Sequence, residues 1–178
     1  MTLFRIIGLD PGGTTGWATY TAEKKKMLPY EDATNVVLTQ YLNEEWTCGQ
    51  LATHDHHKIL NDFLGMQQVE ETLIVCESFD YRNQSKPGLE LISREYIGIV
   101  KLFSQERNVP YVLQTASQGK VRDNDKSFVR KENLERLGLW VKGGASTWNH
   151  AMDAYGHILY YMIHNHIQRD ELLRKGWK

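Results

Sequence analysis

The sequence predicts an α/β protein: a mixed sheet edged by a hairpin, with helices packed on it. Two observations carry that expectation. An apolar, β-branched segment, Leu3 to Asp10, breaks at Pro11-Gly12-Gly13 and is answered by a second strand-like run, Thr15 to Thr21, the pattern of a hairpin. From Thr72 onward, short apolar runs alternate with helical periodicity, the signature of strands joined by helices.

The elements follow in order. Further strand-like segments lie near Asn35–Gln40 and Thr47–Ala52. Asp55–Val69 sets Ile59, Leu60, Phe63, Leu64 and Met66 at helical spacing, and Thr72-Leu73-Ile74-Val75-Cys76 reads as a short buried strand ending at Glu77 and neighbouring the first. After a polar loop over Asp80–Gly88, Leu89 to Arg107 places Leu89, Ile92, Tyr96, Ile99, Val100 and Phe103 on one side of a long helix; the strand Val109–Gln114 follows. Lys126–Leu139 is amphipathic around Phe128, Val129, Leu134 and Leu137, and a last helix runs from about Thr147 to Ile167 after the Gly143-Gly144 break.

With 178 residues, 41% of them hydrophobic, the chain is expected to form a single domain over 1–178. The formal charge of −1 excludes a uniformly polybasic nucleic-acid binder, but the charge is uneven. Residues 1–109 carry 10 basic and 15 acidic side chains, residues 110–178 carry 11 and 7, so the last third is the polyanion-facing side. No apolar run approaches the roughly 20 residues of a membrane span, and the first residues lack the basic start and cleavage site of a signal peptide, so a cytoplasmic, membrane-free protein is expected. Cys48 and Cys76 are too few for a disulfide framework and read as small apolar packing residues.

Three acids stand where apolar elements end or turn inward. Asp10 closes the first strand and Glu77 the other short apolar strand; an uncompensated carboxylate in either place costs several kcal/mol. Asp153 sits in the final helix among Ala151, Ala154, Ile158 and Met162, with His150 three residues earlier on the same face. Singly, each acid has an ordinary structural use, such as a turn cap or an ion pair. Together they form an oxygen-rich set suited to Mg²⁺ or Mn²⁺, and two such ions about 3.5–4 Å apart would serve an in-line attack on a phosphodiester. That is nuclease chemistry.

The run Ile7-Gly8-Leu9-Asp10-Pro11-Gly12, then Thr15-Gly16-Trp17-Ala18, then Val75-Cys76-Glu77-Ser78-Phe79 and His150-Ala151-Met152-Asp153-Ala154 resembles the RuvC-like Holliday junction resolvases of the ribonuclease H-like superfamily. The resemblance implies a five-stranded ribonuclease H-like sheet with helices on both faces, and a two-metal site of Asp10, Glu77, His150 and Asp153. In it Asp10 bridges both ions, Glu77 and Asp153 hold one each, and His150 completes a shell or positions the attacking water. It further implies a Mg²⁺-dependent endonuclease, with Mn²⁺ as a substitute, cutting branched DNA to 5′-phosphate and 3′-hydroxyl ends. Two symmetric cuts call for a homodimer, for which the Leu89–Arg107 helix is the expected interface. A compact chain of this type suits a bacteriophage that debranches its DNA.

Softer matches concern DNA contacts. Phe79 is a candidate wedge stacking on an unpaired base, with Tyr81 and Arg82 beside it. Lys120, Arg122, Lys126, Arg130 and Lys131 are candidate phosphate contacts, Lys120 foremost. The long stretch Glu23–Trp46, with Lys24–Lys26, is an added substrate arm or dimer flap. His54, Asp55, His56 and His57 read as a solvated helix start, and His157 either orients Asp153 or is a satisfied core histidine.

Three alternatives remain at this level. Leu9-Asp10-Pro11-Gly12-Gly13-Thr14-Thr15-Gly16 also resembles the first phosphate turn of the actin, hexokinase and sugar-kinase ATPases, whose two lobes exceed this length. A non-catalytic RuvC-like nucleic-acid binder shares the fold without turnover. A nuclease of forks, flaps or RNA–DNA hybrids would use the same acids.

Overall fold

Residues 1–27, 38–52, 57–78, 89–121, 127–140 and 149–177 are described by the computed structural model. They contain strands β1 (Thr2–Asp10), β2 (Thr14–Met27), β3 (Leu38–Ala52), β4 (Glu71–Glu77) and β5 (Tyr111–Gln114). The helices are α1 (His57–Gln67), α2 (Leu89–Arg107), α3 (Ala116–Gly119), α4 (Lys131–Arg136), α5 (Asn149–His164) and α6 (Arg169–Gly176). The strands form one sheet in the order β3-β2-β1-β4-β5. β1, β2 and β3 are antiparallel neighbours, whereas β4 runs parallel to β1, and β5 parallel to β4. None of the helices described is long and apolar enough to cross a membrane.

The pleat of β1 sorts its side chains between two cores. Phe4 and Ile6 join Tyr20, Leu73 and Val75 beneath Ala154, Ile158 and Met162 of α5. Ile7 and Leu9 point the other way, into Leu60 and Leu64 of α1 and Tyr96, Val100 and Phe103 of α2. Burying each such Leu or Ile contributes roughly 1.5–3 kcal/mol. Helices therefore cover both faces, as the sequence led us to expect.

Glycine sets how closely α5 lies on the sheet. A Cβ on Gly8 would fall 2.4 Å from the Ala154 carbonyl oxygen, and one on Gly16 would fall 2.0 Å from the His150 carbonyl. Neither contact is tolerable, so both positions must lack a side chain.

The structure departs from the expected elements in five places. The two strands anticipated at Asn35–Gln40 and Thr47–Ala52 are parts of one strand over the described residues, β3, which pairs with β2 from Thr14↔Ala52 out to Met27↔Leu38. The polar, exposed Asn43-Glu44-Glu45 conceals it; there β3 carries an extra residue, with Asn43 at φ 50, the left-handed turn that a bulge requires and Asn tolerates. The Glu23–Trp46 arm is thus the outer part of this ladder, apart from 28–37, which lie outside the described residues. The helix anticipated over Lys126–Leu139 shrinks to α4: Arg130 is extended (φ −116, ψ 163), and Gly138 (φ 73) follows the helix end. Phe128 and Val129 reach the core from this lead-in, whose buried stripe only mimics a helical period. The last helix stops at His164 instead of Ile167, and α3 and α6 were not anticipated. α6 has Asp170 and Glu171 in its first turn and Arg174 and Lys175 in its last, the charge order a helix dipole favours, but little apolar surface.

Gly16→Ala should therefore cost about 3 kcal/mol or more, lowering the thermal midpoint by at least ~6 °C. Gly98→Ala, in α2 with no atom within 4 Å of the new Cβ, should raise stability by about 0.5–1 kcal/mol. Thermal denaturation followed by circular dichroism compares the two.

Candidate active site

The same pleat that builds the cores brings the acids together. On β1, Phe4, Ile6 and Gly8 face α5, and Asp10 continues that row; on β4, Leu73 and Val75 do so, and Glu77 continues theirs. Leu9 pairs with Cys76 in the parallel ladder, so the two carboxylates end adjacent strands one residue further on. Glu77 pairs in turn with Gln114, the last residue of β5. These are the carboxyl ends of parallel strands, where open sheets place ligands.

α5 supplies the rest. His150 Nδ1 lies 2.5 Å from Asp10 Oδ2, across 140 residues of sequence. Asp153, one turn on, accepts a 2.7 Å hydrogen bond at Oδ1 from the Val121 amide. The short α3 leads the chain back over the site and delivers Lys120, whose Nζ stands 3.5 Å from Glu77 Oε1. On the buried side His157 Nε2 stands 3.4 Å from Glu77 Oε2. Across the strand end, Ser93 of α2 donates to the Pro11 carbonyl at 2.9 Å and so ties the turn after Asp10 to the second helical layer.

Charge follows from this packing. Burial works to raise the Asp10 carboxyl, yet the hydrogen bond with His150 and the Lys120 charge outweigh it, and the group stays below the ordinary aspartate range. The hydrogen bond to Asp10 raises His150 above the usual imidazole value against the opposing effect of burial. Burial pushes Asp153 up to about 6, aided by the negative charges of Asp10 and Glu77 and opposed by the Val121 amide and Lys120. Burial works to lower Lys120, but Glu77, Asp10 and Asp153 together hold its ammonium above the ordinary lysine range. The cluster is thus short of positive charge even with Lys120 in its midst.

The expected set of Asp10, Glu77, His150 and Asp153 is brought to one place, with Lys120 inside it as an ion-pair partner. As they stand, no three His, Cys, Asp or Glu side chains among the described residues close on a single point. Phe79, Tyr81, Arg82, Arg122 and Lys126, the other expected DNA contacts, lie outside the described residues. Arg130 lines a surface cavity of about 350 Å³ with Phe128, Asn133, Arg136 and Trp177, and Lys131 pairs with Glu135 at 3.9 Å. His57 is exposed and meets Glu95 at 2.7 Å, in keeping with a solvated helix start; His54, Asp55 and His56 are not described. Of the two readings of His157, the satisfied core histidine holds: it is fully buried against Glu77 and Gln114, while the Asp153 carboxylate meets the Val121 amide. Sequence reasoning missed Gln114 altogether, although its place at the end of a strand beside Glu77 was the available signal. A larger cavity of about 580 Å³, lined by Phe4, Lys24, Tyr41 and Glu71 among others, holds none of these acids.

The turn after Asp10 also bears on phosphate binding. Thr15 Oγ1 accepts from the Gly12 amide at 3.3 Å and donates to the Gly12 carbonyl at 3.2 Å, so an amide that a phosphate turn would present is already engaged.

No protein-family profile matches the chain, and no curated protein matches it. Among solved structures, the chain is similar to Thermus thermophilus RuvC, with 15% identity over 91% of this chain and 97% of that one and a TM-score of 0.50. It is equally similar to T. thermophilus RuvC in complex with a Holliday junction substrate, with 15% identity, 93% and 98% coverage and a TM-score of 0.51. The fold is therefore the RuvC-like, ribonuclease H-like α/β fold.

One consequence is measurable without any substrate. Because the folded state raises the Asp153 pKa from the usual 3.8 to about 6, its contribution to stability is complete below about pH 4 and is lost as pH rises through about 6. Asp153→Asn keeps an acceptor for the Val121 amide and loses the charge. In buffer with EDTA the variant should exceed wild type by about 2 kcal/mol, or ~4–8 °C, near pH 8, and by nothing below about pH 4. Paired thermal melts across pH check it.

Proposed function

We propose that the chain is a structure-selective endodeoxyribonuclease that resolves four-way DNA junctions by divalent-metal-dependent hydrolysis. The observation that carries this reading is the convergence of Asp10, Glu77, His150 and Asp153 on one edge of the sheet, with an electrostatic deficit that cations would fill. The RuvC-like fold supports it, and so does the branched-DNA complex of T. thermophilus RuvC.

The donor set fits hard divalent cations. Three carboxylates and one imidazole offer oxygen-rich ligation of the kind Mg²⁺ and Mn²⁺ take, and an aspartate whose anion is held up at about 6 gains most from an added positive charge. Asp10, Glu77, Asp153 and His150 would hold two such ions. When bound, the ions supply an activated water and a counter-charge for the leaving 3′ oxygen. The protein's part is placement. Asp10 is fixed by His150 on one side and by the rigid strand end on the other, so its position does not depend on solvent. Lys120 brings an ammonium to the place where a scissile phosphate's charge would lie, and the basic last third of the chain extends that field along the DNA.

Junction resolution needs paired cuts, and the homodimer belongs to the same proposal. Tyr96, Val100 and Phe103 of α2 are spent on the core, and among the described side chains of α2 Leu102, 54% exposed, is the large apolar one that points outward. Sedimentation at micromolar concentration should show a dimer that Leu102→Glu converts to monomer; wild-type monomer alone would remove the dimer from the proposal.

Labelled four-way junctions, forks and linear duplex should be incubated with wild type and Asp10→Asn, in Mg²⁺ and in EDTA. We expect symmetric cutting of the junction by wild type in Mg²⁺ only, and at least ~10³-fold slower cutting by Asp10→Asn with junction binding retained, because the amide keeps the shape and removes the charge. Binding without any cutting would identify a non-catalytic junction binder; preference for forks or flaps would redirect the substrate but not the chemistry.

A further inference from the structure

His157 is a buried polar side chain that the cleavage chemistry leaves unused. It lies one turn beyond Asp153 on α5 with no exposed surface, in surroundings where an imidazole with unmatched nitrogens would cost several kcal/mol. Both nitrogens are matched. Nδ1 is 2.8 Å from Oε1 of Gln114, itself 3% exposed, and Nε2 is 3.4 Å from Glu77 Oε2.

The slot is cut for this ring. A Cβ on Gly119 would lie 2.1 Å from His157 Nδ1, and one on Gly156 would lie 1.8 Å from the Gly119 carbonyl oxygen. Gly119 thus leaves room for the imidazole itself, and Gly156 lets the Gly119 backbone come down onto α5 beside it. Glu77 stands between two partners of opposite kind: Oε2 faces His157 inside, and Oε1 faces Lys120 at 3.5 Å on the site side. A carboxylate only accepts, so the contact requires the proton on Nε2. With the proton on Nε2, Nδ1 accepts, so Gln114 must turn its amide nitrogen to the ring, a half-turn from the orientation that sets Oε1 there.

We propose that His157, anchored by Gln114, is the positioning residue for Glu77: it takes one carboxylate oxygen and turns the other toward the site. A glutamate at a strand end otherwise samples many rotamers, and ordering it on arrival of a cation costs up to about 2 kcal/mol of side-chain freedom. With His157 in place that ordering precedes binding, as with the outer partners that orient metal ligands elsewhere. The functional half of this inference rests on the metal-nuclease reading above; the contact itself does not.

Packing and positioning make different demands. Packing asks for volume, whereas positioning asks for a donor at Nε2, which His157→Gln retains and His157→Leu lacks. The measurements use full-length protein: Mn²⁺ titration by calorimetry without DNA, and the Mg²⁺ concentration giving half-maximal junction cutting. His157→Leu should weaken both by roughly 10–100-fold and His157→Gln by much less. Gln114→Leu, which leaves α5 untouched, should shift both in the same direction by a smaller factor, and it decides the matter where His157→Leu fails to fold. Unchanged metal dependence in the Leu variants, or a Gln variant as impaired as Leu, would overturn the proposal. Long-range ¹H–¹⁵N correlation of His157 tests the contact apart from any metal: we expect a protonated Nε2 whose resonance moves in Glu77→Gln. An unprotonated Nε2 would overturn the proposal whatever the enzyme does, while a wild type that shows this contact yet binds no Mn²⁺ would sink the nuclease reading instead.

Discussion

The arrangement depends on how closely α5 can lie on β1 and β2. Gly8 and Gly16 remove the two side chains that would hold the helix off, so the carbonyls of Ala154 and His150 come down onto the sheet. That approach lets Ile158 and Met162 seal the core with Ile6 and Tyr20, and it brings His150 within 2.5 Å of Asp10. Packing and site geometry are therefore one constraint. A helix lifted by a single methyl group at either glycine would lose core contacts and separate imidazole from carboxylate in the same movement.

The pleat does the remaining sorting. Side chains two apart share a face, so a strand that buries apolar residues under α5 must send its last residue to that face as well, provided the spacing is even. β1 ends at Asp10, β4 at Glu77 and β5 at Gln114 in matching phase, and parallel pairing lines them up. The cost is electrostatic. Carboxylates at a buried edge lose hydration and repel one another, and Asp153 is displaced upward first by its burial and then by the charges of Asp10 and Glu77. Lys120, the His150 contact and the Val121 amide offset part of that cost, and the hydrophobic layers on both faces carry the remainder. The site is tolerated by the fold and does not stabilise it.

Much of this was legible in the sequence, and the exceptions have physical reasons. The apolar strand ending at Asp10, the short strand ending at Glu77 and the Leu89–Arg107 helix declare themselves because burial on a regular lattice leaves a regular pattern. Asp153 and His150 were legible because a polar residue on a core-facing stripe stands out against its neighbours. α4 was overextended because Phe128, Val129 and Leu134 satisfy a helical period while being delivered partly by extended chain. α6 passed unseen because it buries little beyond Leu172, with charge order as its only other signal. The middle of β3, between the two anticipated segments, was hidden by polar residues whose place is fixed by hydrogen bonds to β2, not by side-chain burial. The partner of His157 was the hardest to anticipate: helical spacing ties it to Asp153, whereas the neighbour that matters comes from a strand 80 residues earlier.

A sheet of this kind does not by itself name a reaction, because the carboxyl ends of its strands form a platform on which unrelated chemistries are built. The discriminating features are local. A phosphate turn needs free amides after the first strand, yet here the Thr15 hydroxyl already engages Gly12. A cation site needs anions that gain from neutralisation, and Asp153, whose pKa burial and then the charges of Asp10 and Glu77 push up to about 6, is such an anion. A buried aspartate hydrogen-bonded to a histidine, and a glutamate contacted from behind by another, each add desolvation and order that precise placement of charge would repay, so the side chains, more than the sheet, support the proposed reading.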